Sequence, residues 1–455
     1  MRRISILGSA ILSSALTLVP FAVTSCSDDG KPNPPRGDAG GDGATKADSA
    51  ATGDSATTAD SGHDAGPGCA FPAGNDAGRA GHALFVGSDF VTSELSVVSL
   101  ESKTVAGRLP IDNGDSVAAA SGGFGFVLER GLGRVKVLDP AQPWTVRSTV
   151  DINDTPDAGA YVSNPHALVV TTCTKAYVAR YASNGVTILD AASGTVIGNV
   201  DLSPFLHPDD KDGTPPPGKP QLRLVDVTDA LYDAAAKRAY FLLQRIDQFD
   251  YDPTYNLGRC KAWPAQLVAV DVTNDTLVDL NGDLPGKALD LLGDNPQSLT
   301  ADVVSGRILI PSTGCYIPPT GGDPVQRRGR GIEAVSIAAK ATAWLYHASD
   351  SSRLDGMVWA DATHAFVRQD GQWSAWNPTQ TTLGGVVSNF PIAPFSDGAG
   401  HILGLSDKHA DGGPASAISV VSWDVATSQI STIVERPFQG VEPDLFYGVT
   451  SAHLR

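Results

Sequence analysis

The sequence predicts an all-β fold, and three observations carry that prediction. Gly 48 and Pro 31 against Met 2 in a chain of 455 residues favour turns over helix interiors. Short runs of alternating apolar and polar residues are separated by Asn-Gly, Ser-Gly and Asp-rich turns, the pattern of antiparallel meanders. The same strand–turn–strand unit recurs seven times between Ala83 and Asp424. Four-stranded antiparallel units repeated around a closed ring describe a seven-bladed β-propeller.

Before the repeats come two segments of different character. Arg2 and Arg3 precede an apolar stretch from Ile4 to Val23 that ends in Val23-Thr24-Ser25-Cys26. A positive start, an apolar middle and small residues before a cut site describe an export signal over residues 1–25. With the cysteine directly after the small residues, the segment resembles a bacterial lipoprotein signal. That resemblance implies lipid on Cys26 and a protein exported and anchored to the bacterial envelope. Ser27, rather than Asp, following the cysteine points to the outer membrane. From Ser27 to Gly68 there is no Val, Ile, Leu, Met, Phe, Trp or Tyr, and eight Asp stand against Lys31, Arg36 and Lys46. Such a segment buries too little to offset the entropy of ordering, so 26–68 reads as a disordered, self-repelling tether. The folded body is 69–455.

Within that body the clearest copy runs from Lys175 to Val200: Lys-Ala-Tyr-Val-Ala-Arg, a turn at Ser183-Asn184-Gly185, Val-Thr-Ile-Leu-Asp, a turn at Ala192-Ser193-Gly194, then Thr-Val-Ile-Gly-Asn-Val. Asn164 to Val170 supplies one strand more. Other copies pair Phe124–Arg130 with Arg134–Asp139, Arg238–Leu243 with Gln266–Asp271, Arg307–Ile310 with Ile332–Ile337, His364–Val367 with Trp373–Trp376, and His401–Gly404 with Ile418–Asp424. His82–Phe85 with Leu95–Leu100 opens the series but lacks an inner strand, while Glu442–Thr450 is an inner strand with no blade after it. The C-terminal strand is therefore expected to complete the first blade and close the ring. The copy around Tyr177 resembles the YVTN-type β-propeller repeat, in which a Tyr-Val strand precedes a Val-x-Val-x-Asp strand. The chain departs from that family in long insertions at Pro204–Leu222, Asp247–Trp263 and Cys315–Gly331.

Aligning the blades on the Tyr177 position and stepping back eleven residues gives Asp115, His166, Asp229, Gln297, Asp355 and Pro391, with Asp444 in the C-terminal strand. These positions are expected to start the innermost strands and to line one mouth of the central channel. A convergence of carboxylates there would hold a hard cation, Ca²⁺ being the one that prefers such oxygens, or a cationic ligand. The bland reading is that each acid makes turn hydrogen bonds to nearby backbone. Asp279-Leu-Asn-Gly-Asp283 begins like a calcium loop but continues with Leu284 where such loops need Gly. No His-Glu-x-x-His, nucleophile elbow, phosphate loop or dinucleotide fingerprint is present.

A formal net charge of −17 excludes nucleic-acid binding by surface charge. Of the five cysteines, four remain after lipidation of Cys26. Cys260 and Cys315 follow the second strands of adjacent blades, within insertions expected on one face, and are predicted to form a disulfide; Cys69 with Cys173 is the remaining pair. The function this reading supports is an anchored, non-catalytic binding module whose partner is a protein, a glycan or a small molecule. The alternative, by analogy of fold alone, is a lactonase-like or other metal-assisted hydrolase at the channel mouth.

Overall fold

A computed structural model describes residues 81–454 except 155–160, 208–211, 216, 218–219, 253–256, 262, 283–286, 303–305, 316–328, 350–351, 362–363, 398–399, 408–417 and 442–448. The export signal, Cys26 and the tether lie outside the described residues. No helix among the described residues is long and apolar enough to cross a membrane.

Seven antiparallel sheets form the blades of a β-propeller. Each runs from an inner strand a to an outer strand d. Blade 2 comprises Ser116–Ser121, Phe124–Glu129, Arg134–Leu138 and Val146–Asp151. Blade 3 comprises Pro165–Thr172, Lys175–Arg180, Gly185–Asp190 and Thr195–Asp201. Blade 4 has Val227–Asp233, Arg238–Leu243, Gln266–Asp271 and Thr276–Val278, and blade 5 has Thr300–Asp302, Arg307–Ser312, Gly331–Ser336 and Ala341–His347. Blade 7 is built from Ile392–Ser396, His401–Asp407, Ile418–Asp424 and Gln429–Glu435.

The ring closes through the C-terminal strand as expected, but that strand is Val449–Leu454 rather than the Glu442–Thr450 read from the sequence, of which 442–448 lie outside the described residues. In blade 1, Val449–Leu454 is strand a, antiparallel to His82–Ser88, and is followed outward by Ser93–Ser99 and Thr104–Ile111. The lead-in to that strand is latched by Glu94 of strand c, whose carboxylate accepts from Gln439 N at 2.9 Å and Gly440 N at 2.7 Å. Arg108 of strand d donates to the Pro437 carbonyl at 2.6 Å. Blade 6 departs from the four-strand pattern. It has three strands, Leu354–Trp359, Ala365–Gln369 and Gln372–Trp376, and the outer position carries a single bridge between Ser374 and Val386.

The core lies between blades rather than within one. Alternate residues of a strand point to opposite faces, so each sheet feeds two interfaces. In strand b of blade 3, Tyr177 and Ala179 pack against Phe241, Leu243 and Val268 of blade 4. Ala176 and Val178 pack the other way, against Phe124, Phe126 and Leu128 of blade 2. Inner strands crowd toward the axis and use small residues, as in Ala118-Ala119-Ala120. They are stitched across blades by hydroxyls: Ser121 Oγ accepts from Val170 N at 2.9 Å, and Thr450 Oγ1 from Ala118 N at 2.8 Å.

The Asp that ends strand c in several repeats has a local cause. Asp190 Oδ1 accepts from Ala192 N and Ser193 N, and Asp139, Asp271 and Asp424 likewise accept from the backbone of their own c–d turns. Gly194 completes the blade 3 turn at φ 68°, where a side chain is disfavoured.

Candidate functional site

The d–a connections and b–c loops share one end of the ring, and this is the face that carries the insertions. A repeated hydrogen bond defines its rim. The residue after strand b donates its N–H to the residue before strand a: Arg130 to Asp115, Tyr181 to Asn164, Gln244 to Asp226 and Asp370 to Arg353; in blade 5 Thr313 donates to Asn295, next to the isolated Pro296–Ser312 bridge that precedes strand a. Against this frame the fixed eleven-residue step lands at different heights. It reaches the rim residue itself in blade 2 but falls two or three residues further along in blades 3 to 6. The cause is variation in the a–b turns, together with register shifts at Pro165/Ala167, Val227/Asp229 and Leu354/Gly356.

Asp115 sits at the rim and pairs with the Arg130 guanidinium at 2.6 Å. His166, 8 % exposed, stacks on Tyr181 with ring centroids 4.5 Å apart. Burial, and then the Arg130 charge, hold its pKa well below the usual histidine range, so the imidazole is neutral at physiological pH. Tyr181 donates to Gln244 Oε1 at 2.8 Å, and Gln244 Nε2 donates to Asn295 Oδ1 at 2.6 Å. Gln297 Nε2 reaches the same Asn295 oxygen at 2.8 Å. Asp115, His166 and Gln297 thus join one polar belt across blades 2 to 5.

Asp229 does not join it. It is 5 % exposed, and its carboxylate accepts from Ala230 N at 2.8 Å and from Leu299 N at 2.6 Å, tying blade 4 to blade 5. Pro391 leads into strand a of blade 7. Asp355 lies in strand a of blade 6, with its side chain outside the described residues; Asp444 lies outside them altogether. Among the described residues, the one group of three His, Cys, Asp or Glu ligand atoms within 4.8 Å of one another is Cys260, Asp294 and Cys315, which includes none of the belt. Asp279 Oδ1 accepts from Asn281 N and Gly282 N, the bonding of a plain turn.

The described parts of the insertions are tied into the fold. Strand b of blade 4 is followed by a hairpin, Ile246–Asp252 with Leu257–Cys260. Lys261, just past it, is 8 % exposed and lies 3.2 Å from Asp226 Oδ2 and 3.6 Å from Asp212 Oδ1. Its ammonium also donates to the Leu224 carbonyl at 2.9 Å. Gln248 brings its side-chain amide to Asp226 and its backbone N–H to Asp212, each at 2.8 Å. This buried charge cluster fastens the Pro204–Leu222 insertion, through Asp212, to the Asp247–Trp263 insertion. The predicted Cys260–Cys315 disulfide is present, with Cα atoms 5.4 Å apart, and joins the hairpin to the loop after strand b of blade 5. Cys173 is disulfide-bonded too. Cys69, the residue paired with it in the sequence reading, lies outside the described residues.

The shorter loops of the same face display apolar side chains. Phe90 and Val91, at the b–c turn of blade 1, are 42 % and 71 % exposed, and Leu132 occupies the corresponding loop of blade 2. Phe90 holds φ 65°, a costly backbone for an aromatic residue, fixed by Asp89 Oδ1 accepting from Val91 N and Thr92 N. Gly114 lets this turn seat closely: a β-carbon there would stand 2.3 Å from the Phe90 carbonyl carbon.

Sequence reasoning missed Arg130, Tyr181, Gln244 and Asn295. The first three share a legible position, directly after strand b. Asn295 and the Lys261 cluster carry no comparable signal, because their partners come from distant connections.

No protein-family model and no curated protein matches the chain. Among solved structures it is similar to a functionally unknown protein from Desulfotomaculum acetoxidans, at 9 % identity and TM-score 0.51, covering 83 % of this chain and 100 % of that one. That likeness supports the propeller fold and nothing finer. A streptogramin B lyase (12 % identity, TM-score 0.41, 72 % of this chain and 84 % of that one) and a dihydro-heme d1 dehydrogenase (12 %, TM-score 0.45, 82 % and 75 %) are more distant in shape. Their varied activities carry no argument here.

Proposed function

We propose that this chain is a bacterial cell-envelope lipoprotein, held to the membrane through lipid on Cys26, that acts as a binding module and docks its partner on the insertion face. The observation that carries the reading is the construction of that face. A disulfide and a buried ion cluster immobilise insertions that a bare propeller does not need. Fixing loops in advance lowers the ordering cost of binding. Beside them, Phe90 and Val91 are held outward at a cost in backbone strain. The hydrolase alternative draws less support, since Asp115 is engaged by Arg130 and Asp229 by backbone N–H groups.

Two labels test the reading. A clickable fatty acid supplied to cells should enter the protein and be lost in Cys26→Ala. Photo-crosslinking residues at Val91 and Leu132 should give discrete adducts in cells, while Val196 on the outer edge of blade 3 should not. Adducts equal at all three positions, or absent from all, would overturn the docking face; fatty acid retained in Cys26→Ala would overturn the anchor.

A further inference from the structure

We infer that Cys260, Cys315 and Asp294 form a binding site for a thiophilic divalent cation of the Zn²⁺ class in the chain whose Cys260–Cys315 bond is reduced. The two sulfurs and an Asp294 carboxylate oxygen lie within 4.8 Å of one another, and the three residues are 3 %, 5 % and 3 % exposed respectively for Cys260, Cys315 and Asp294. Each comes from a different element, and backbone bonds position all three without help from the S–S bond. Cys260 pairs with Ile246 in the hairpin, and Lys261 N donates to the Arg245 carbonyl at 2.9 Å. Asp294 N donates to the Gly329 carbonyl at 3.2 Å, and Gly314 N, beside Cys315, donates to the Asp294 carbonyl at 2.9 Å. These backbone bonds keep the three residues tethered to neighbouring parts of the fold when the S–S bond is reduced, although the hairpin loosens.

In the oxidised protein the sulfurs are bonded to each other and offer no thiolate. A dithiol reductant supplies two electrons and two protons; the S–S bond breaks, two thiols form, and the reductant leaves as its own disulfide. The cation then displaces both thiol protons and takes two sulfurs and one carboxylate oxygen, leaving one tetrahedral position for water. Zn–S bonds of about 2.3 Å place the sulfurs about 3.7 Å apart. Side-chain rotation reaches that separation from Cα atoms 5.4 Å apart. Two thiolates exclude Ca²⁺ as the preferred ion. Metal-loaded and disulfide forms are mutually exclusive, so the cation should also protect these thiols from oxidation. The inference does not depend on the docking role.

The test uses protein prepared under a dithiol reductant and titrated anaerobically with Co²⁺ as a spectroscopic stand-in, then with Zn²⁺. The expected result is a saturable sulfur-to-cobalt charge-transfer band at one equivalent, displaced by Zn²⁺, absent from the Cys260→Ser/Cys315→Ser variant. That variant retains Cys26, Cys69 and Cys173, so it reports any contribution from them. Asp294→Asn should weaken Co²⁺ by about tenfold or more, since even groups that only orient a ligand have effects of that size. In the unsubstituted protein, Zn²⁺ should slow re-formation of the Cys260–Cys315 bond, a reading that needs no variant to fold. No band above the double variant, or no slowing of oxidation by Zn²⁺, would overturn the site. An unchanged affinity in Asp294→Asn would overturn Asp294 as a ligand.

Discussion

In blade 3 the chain passes from Pro165 to Asp201 through four strands joined by turns of a few residues, whereas blade 4 inserts a hairpin between Leu243 and Gln266. The two regions are held by different physics. Blade 3 is built from local rules: alternating strands, Asp190 capping its own turn, and Gly194 in the left-handed conformation. One of its long-range braces is lateral, where Lys175 pairs with Asp275 of blade 4 at 3.0 Å and Tyr177 donates to the same carboxylate. Among the described residues of the blade 4 and 5 insertions the buried apolar cluster is confined to Ile246, Cys260 and Cys315, and the ties are Lys261, its two aspartates and a disulfide. Repeating blades supply stability, and covalent and ionic ties supply a shaped surface.

The sharpest way to break this contrast is at Tyr177, which is 0 % exposed at the blade 3–blade 4 interface. Tyr177→Ala should destabilise the whole ring by about 3–5 kcal/mol, the range for deleting a buried aromatic side chain. Chemical denaturation read by tryptophan fluorescence would show the midpoint fall, with all blades unfolding together.

Removing the staple should act more narrowly. Cys260→Ser/Cys315→Ser opens a loop with a sequence separation of 55 residues, which is worth about 2–4 kcal/mol. Hydrogen exchange should then rise in the hairpin Ile246–Cys260 while the amides of Lys175–Arg180 stay protected. Equal loss of protection in both would show that the staple serves the ring rather than the surface.

The smallest effect sits at Glu333 in strand c of blade 5, which takes N–H bonds from Leu292 at 2.8 Å and Gly293 at 3.2 Å. Burial raises its pKa from 4.5 to about 7, against the pull of those two bonds. Below pH 4.5 the group is neutral in both states. Between 4.5 and 7 the unfolded chain ionises first, so stability falls as pH rises, and the loss is complete above 7, amounting to about 3 kcal/mol at most. Glu333→Gln should flatten that slope in urea midpoints measured from pH 5 to 8; an unchanged slope would show that this carboxyl is not its source.

Much of the fold was legible because its determinants are local. Tyr177-Val178, the Asp190 turn and the unmatched strands at the two ends each follow from neighbours in sequence, and the blade count and closure follow from them. The disulfide was legible because Cys260 and Cys315 follow strand b in adjacent blades. The channel-mouth positions were not, because a bulge of one residue or a longer a–b turn moves a side chain to another height without leaving a mark in composition.

By itself the sequence determined the repeating strands, their turns and the number of blades, since these rest on backbone geometry and alternation over a few residues. The tertiary structure decided which polar groups meet. It set Arg130 on Asp115 and beside His166, turned Asp229 toward Leu299, and brought Lys261 to Asp212 across 49 positions of the chain. A buried charge is stable only where its partner's backbone has already been placed, and that placement is a property of the closed ring.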